Sequence, residues 1–147
     1  MSDDGLALYS DRLRALSAKV RKDRRLAAAD ATVSLTSPLC GSRVTIDLVM
    51  ESGRIRELGY MVRACSLGQA GTAVLAEAAP GCTPAELEAV RETVRRMLEE
   101  GGPPPEGHWA ALEVLSPAAH MPSRHGAALL PFDAVLEAAG KAAQPPL

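Results

Sequence analysis

Glu51-Ser52-Gly53-Arg54 is the tightest constraint on how this chain can fold. An apolar alternating run precedes it: Val44, Ile46 and Leu48 interleave with Thr45, Asp47 and Val49. A second run follows, marked by Ile55, Leu58, Tyr60 and Val62, with the alternation blurred over Glu57–Gly59. Strands joined by so short a turn must be antiparallel, because a parallel pair needs a crossover of a dozen or more residues. A third, short β-branched run over Thr32–Thr36 completes a predicted meander.

Helical patterns flank the meander. Leu6, Tyr9, Leu13, Leu16 and Val20 recur at the helical period and predict an opening amphipathic helix. The basic cluster Arg21-Lys22-Asp23-Arg24-Arg25 then suits a helix C-terminus, read either as a solvated end or as a partner-docking patch. Ser66-Leu67-Gly68-Gln69 fits a capping box for a helix that Pro80-Gly81 stops. Thr83-Pro84-Ala85-Glu86 is a cleaner box, with proline at the favoured first position. Leu87, Val90, Val94, Met97 and Leu98 give the helix that follows an apolar face, up to Gly101-Gly102. Pro103-Pro104-Pro105 reads as a stiff linker, and Trp109, Leu112 and Leu115 as a short helix. Leu129, Phe132, Val135 and Leu136 mark the last helix, with Pro131 expected in its first turn or at a kink. Gln144–Leu147 is expected to fray. The order of helix, antiparallel meander and helices is α+β. It predicts a single domain over 1–147, with an inserted Pro-rich segment at about 101–123.

Composition narrows the function classes. Aromatic residues make up 3% of the chain, so the core must be aliphatic and rich in alanine. A net charge of −2 argues against a nucleic-acid binder, and no apolar stretch reaches the ~18 residues of a membrane span. The acidic Met1-Ser2-Asp3-Asp4 lacks the basic region of a signal peptide, and three irregularly spaced cysteines do not suggest a disulfide framework. A reduced, cytoplasmic setting is expected. No GxGxxG, P-loop, GxSxG or HExxH pattern occurs, so an enzyme is not expected.

The chemistry rests on soft ligands. Cys40 lies in Ser37-Pro38-Leu39-Cys40-Gly41-Ser42, a loop entering a strand, where backbone amides can point at a sulfur. Cys65 lies between a strand and a helix start. If Ser66 caps that helix, the free N–H groups of the first turn favour the Cys65 thiolate, which binds metal and attacks sulfur donors. The alternative for each thiol is a small buried hydrophobe. Cys82, in Pro80-Gly81-Cys82-Thr83, reads as structural. His108 and His120 have no ligand-spaced neighbour, which leaves His125 as the best non-sulfur ligand. Two thiolates are too few for a closed metal or iron–sulfur site.

Taken together these motifs resemble the iron–sulfur scaffold family of IscU, SufU and the NifU N-terminal domain, over roughly residues 8 to 140. The resemblance runs through Tyr9-Ser10, the Cys40 loop, Ala64-Cys65, Gly81-Cys82-Thr83-Pro84-Ala85-Glu86 and Met121-Pro122-Ser123-Arg124. The segment from Pro103 to Arg124 is similar to the insertion of SufU-like members. In that family three cysteines and an aspartate hold zinc or a nascent cluster. The resemblance puts Cys40 and Cys65 at the first two cysteine positions, Ser42 at the aspartate, and Ala127 (Gly126 after a one-residue shift) at the third cysteine. It implies iron–sulfur cluster assembly as a divergent scaffold or accessory, with iron or a cluster on Cys40 and Cys65 and His125 as a third ligand. The implied partners are a cysteine desulfurase and recipient apoproteins. The alternatives are a zinc-dependent sulfurtransferase that accepts persulfide sulfur, and a binding module that keeps the fold without metal.

Overall fold

The computed structural model describes residues 10–143. Three antiparallel strands form one sheet in the order β1 (Ala31–Thr36), β2 (Arg43–Glu51), β3 (Arg54–Arg63). The β2–β3 turn places both central residues at positive φ, Ser52 at 53° and Gly53 at 77°. That backbone twist matches a two-residue antiparallel hairpin. Val33, Ile46 and Tyr60 form one cross-strand row, and Leu35, Val44 and Val62 another. The register then shifts between Val49 and Met50, so Glu57 faces Val49 while Ile55 faces Met50. The extra residue, Arg56, is a β-bulge, and it explains the blurred alternation: Ile55 and Leu58 are both buried although three positions apart.

Gly59 accounts for the rest of the blur. A Cβ there would sit 2.6 Å from the Arg24 carbonyl oxygen and 2.9 Å from Leu26 Cγ. The segment after the first helix crosses β3 at this point, with Arg24 and Tyr60 exchanging backbone hydrogen bonds of 3.0 and 2.7 Å. It therefore covers an edge that would otherwise be open to pairing. The basic cluster is thus partly used within the chain. Arg25 donates to the Asp47 carboxylate at 2.8 and 3.1 Å, joined by the Leu26 amide and the Thr32 hydroxyl. Burial works to raise the Asp47 pKa, but these donors hold it below the ordinary carboxylate value. Arg63 pairs with Asp23 in the same way at the surface.

The helices pack on the other face. Helix α1 (Asp11–Ala18) starts at Ser10, whose hydroxyl accepts from the Leu13 amide at 3.2 Å. Leu13 is buried, and so is Val20 beyond the helix end, whereas Leu6 and Tyr9 lie outside the described residues, as does the tail 144–147. Helices α2 (Ser66–Ala78), α3 (Pro84–Glu100) and α4 (His125–Ala143) follow. The expected short helix around Trp109 is a 3₁₀ run over Gly107–His120. Trp109, Leu112, Leu115 and Ala118 are all buried, and their spacing of three is the 3₁₀ period rather than the α period.

Pro131 departs from expectation. It lies beyond the first turn of α4, in a helix that runs unbroken from His125 to Ala143. Proline removes the amide that would have bonded the Ala127 carbonyl. The helix tolerates it beside α2, where a Cβ on Gly71 would meet Pro131 Cγ at 3.3 Å.

Candidate functional site

Cys40 stands on the β1–β2 loop. Ser37 N–H donates to the Ser42 carbonyl at 2.7 Å and Gly41 N–H to the Ser37 carbonyl at 2.9 Å, closing a tight turn. Gly41 at φ +72° permits this geometry, which an ordinary side chain resists. Ser37 and Ser42 are buried under the turn, while Cys40 and Leu39 face outward, Leu39 being 73% exposed. The Cys40 thiol donates to Ser42 Oγ at 3.1 Å. The Ser42 hydroxyl, the Ser37 hydroxyl and the Ser42 amide hold its pKa below the ordinary thiol value, with a smaller contribution from the Arg124 charge. Ser42 supplies no carboxylate, but its hydroxyl supports the thiolate.

Cys65 comes from the far end of β3. It is itself the N-cap residue of α2, extended at φ −68° and ψ 172°, and its side chain makes no capping hydrogen bond. The capping box expected at Ser66 is therefore not formed. Ser66 is the first helical residue, and Gln69 turns its amide to the Ala64 carbonyl at 3.1 Å instead of reaching back to the cap. The half-buried Cys65 sulfur stands at a helix start with no side-chain acceptor over its first turn.

The two thiols line one cleft of about 160 Å³, together with Leu39, Ser123, Arg124 and Ala127. Arg124 ends the 3₁₀ turn Pro122–Arg124 just before α4, Ala127 lies in the first turn of α4, and both line the cleft. Of the two residues aligned with a third cysteine, Ala127 is the one in the cleft wall. A Cβ on Gly126 would instead approach Ser37 Oγ at 3.5 Å. Sequence reasoning gave Arg124 no role. Its signal was the three-residue step to Ala127.

His125, the first residue of α4, is absent from the cleft wall. Its Nε2 lies 2.9 Å from the Ala118 carbonyl, a contact that ties the 3₁₀ segment to α4. Among the described residues no three His, Cys, Asp or Glu side chains gather as a metal site, so Cys40, Cys65 and His125 are not brought together as one ligand set. The donor set therefore fits a resident zinc poorly: two thiols, two hydroxyl side chains nearby and a guanidinium, where zinc wants four ligands.

Cys82 is buried. Its thiol donates to the Ala78 carbonyl at 3.3 Å, and burial pushes its pKa up. His108 Nε2 lies 3.9 Å from that sulfur, and His120 is exposed. A groove of about 720 Å³ between α3 and α4 is lined, among the described residues, by no cysteine or histidine. No helix among the described residues is long and apolar enough to cross a membrane.

No family model and no curated protein matches the chain. Solved structures do. One is a nitrogen-fixing NifU-like protein (N-terminal) from Brucella abortus, 37% identical, covering 95% of each chain with a TM-score of 0.87. Another, from Fervidobacterium islandicum, carries the name of an iron–sulfur cluster assembly scaffold protein for the SUF system. It is 22% identical, with a TM-score of 0.79 over 90% of this chain and 96% of its own, and shows the shared fold. With the sheet, the helix order and the placement of the two thiols in view, the 37% identity over nearly the whole length is decisive: the chain belongs to the NifU-like N-terminal domain family.

Proposed function

We propose that this chain serves iron–sulfur cluster assembly, as a divergent scaffold or accessory that holds iron or a nascent cluster between Cys40 and Cys65. The observation that carries the reading is the shared cleft: two accessible thiols on a fold shared with a structure named as an iron–sulfur cluster assembly scaffold. The cluster is cargo here, so a two-thiol hold completed by an exogenous thiol, water or a partner side chain suffices for transient custody. Sulfur would come from a cysteine desulfurase, and the product would pass to recipient apoproteins.

The hydroxyls around Cys40 favour a second reading, in which Cys40 accepts persulfide sulfur directly. A thiolate is the attacking form, and Ser42, Ser37 and Arg124 all stabilise it. The donor set gives no support to a resident zinc in that role.

Anaerobic reconstitution with iron, sulfide and a desulfurase tests the first reading. Visible absorption should develop on the wild type and be lost in Cys40→Ala and Cys65→Ala. Featureless spectra for all three would sink cluster binding. His125→Ala decides the histidine: retained absorption assigns it to the Ala118 contact alone, and lost absorption makes it a ligand.

A further inference from the structure

We propose that Cys40 and Cys65 act in sequence on sulfur, Cys65 resolving a persulfide carried by Cys40 to give sulfide and a Cys40–Cys65 disulfide. This rests on the second reading above, that Cys40 accepts sulfur, and adds to it the step that releases the sulfur.

Three observations point to it. Cys40 and Cys65 line one and the same cleft of about 160 Å³. The chain has three cysteines, and the third is committed elsewhere: Cys82 is buried and bonded to the Ala78 carbonyl. Cys65 is thus the only internal thiol that can resolve an adduct on Cys40. Lastly, Ala127 and Ser42 put neither a third thiolate nor a carboxylate beside the pair. No tight chelate then holds the two sulfurs in the reduced, metal-bound form.

The chemistry balances. A sulfane donor, such as a protein persulfide, transfers its outer sulfur to the Cys40 thiolate and departs as a thiol. The Cys65 thiolate then attacks Cys40 Sγ. The bond between Sγ and the outer sulfur breaks as the Cys65–Cys40 bond forms, and the electron pair leaves on hydrosulfide. The sulfane sulfur is reduced by two electrons, and the two cysteine sulfurs supply one each. Among the described residues Arg124 is the only cation lining the cleft, and the anion departs beside it. A dithiol reductant returns the pair to the starting state. A disulfide needs the two Cα atoms within about 7 Å. Cys65 is fixed at the start of α2, so the exposed Cys40 turn is the part that adjusts.

The test uses inorganic polysulfide as the sulfane donor, added anaerobically to the reduced full-length chain. Intact mass and peptide mapping are recorded without reductant, and released sulfide is trapped. Wild type should lose two hydrogens, yield a Cys40–Cys65 linked peptide and release sulfide in amounts matching the linked chain. Cys65→Ala and Cys65→Ser should instead keep an added sulfur on Cys40 and release at most about a tenth as much sulfide, with circular dichroism melts verifying that both variants fold. A wild type that keeps the added sulfur, or Cys65 variants that release sulfide as fast as wild type, overturns the resolving step while leaving sulfur acceptance standing. No adduct and no link in any form removes sulfur acceptance and the resolving step together.

Discussion

Two helices of this molecule start just after a cysteine, and the starts are opposites. At α3 a reciprocal capping box is formed. Thr83 Oγ1 accepts from the Glu86 amide at 3.2 Å, Glu86 reaches back to the Thr83 amide at 3.3 Å, and Pro84 stands where no amide is needed. Cys82 beside it is buried, and its carbonyl accepts from the Ile55 amide at 2.9 Å, pinning the helix start to β3. At α2 the cysteine itself takes the cap position, makes no capping bond and faces a cleft. The first start is built for stability and the second leaves its polar groups open to a visitor. Functional sites are where such local consistency is expected to lapse.

Reactivity should separate the two starts most strongly. Under native conditions iodoacetamide should modify Cys40 and Cys65 about 100-fold faster than Cys82, whose modification waits for the buried sulfur to open. Mapped peptides over a time course read this directly. Comparable rates at all three would erase the distinction between an open and a closed start.

Filling the open site is the next largest effect. Ala127 lines the cleft from α4, so Ala127→Cys should add a third thiolate to the two already there. Affinity for iron or zinc should rise at least tenfold, about 1.4 kcal/mol, measured by competition with a chromogenic chelator. Affinity unchanged from wild type would mean that Ala127 does not occupy a ligand position.

The fold was legible in the residues because its signals are local and unopposed. The Ser52-Gly53 turn fixes the hairpin, and the Thr83 box fixes the start of α3. The bulge at Arg56 was not readable, because it depends on how β3 registers against β2 and on the backbone that crosses Gly59. The short helix around Trp109 was legible, but not its 3₁₀ character, because Trp109, Leu112 and Leu115 satisfy both a loose helical pattern and a period of three. The site was half legible. The cysteines announce themselves by chemistry, but whether Ser66 or Cys65 caps α2 turns on where the helix docks. His125 and Arg124 are adjacent in the chain and point differently, and only the helix phase set by packing α4 on the sheet decides which one meets the thiols.

Stability should show the same contrast at smaller scale. Thr83→Ala removes a working cap and should cost about 1 kcal/mol, lowering the melting temperature by roughly 3 °C. Cys65→Ala removes no capping bond from a half-buried position, and should stay within about 0.5 kcal/mol of wild type. A Cys65→Ala loss as large as that of Thr83→Ala would show that the cysteine supports α2 after all.

The smallest effect is a pH dependence in which the two kinds of cysteine work in opposite directions. Cys82 has a folded pKa raised above the ordinary 9.0, so its neutral form is favoured in the fold. The stability it contributes is complete below pH 9.0 and is lost as pH rises from there through the raised value, where the unfolded chain ionises first. Cys40 has a folded pKa lowered from 9.0, so its contribution is complete above that value and is lost as pH falls through the lowered one. The two partly cancel in the wild-type melt. Cys82→Ala should therefore flatten the decline of melting temperature on the alkaline side, and Cys40→Ala should remove a gain that develops between its lowered pKa and 9.0. Differential scanning fluorimetry across that range, under reductant, measures both slopes. If the two variants shift the profile in the same direction, the exposed Cys40 and the buried Cys82 are not biased toward opposite ionisation forms by the fold.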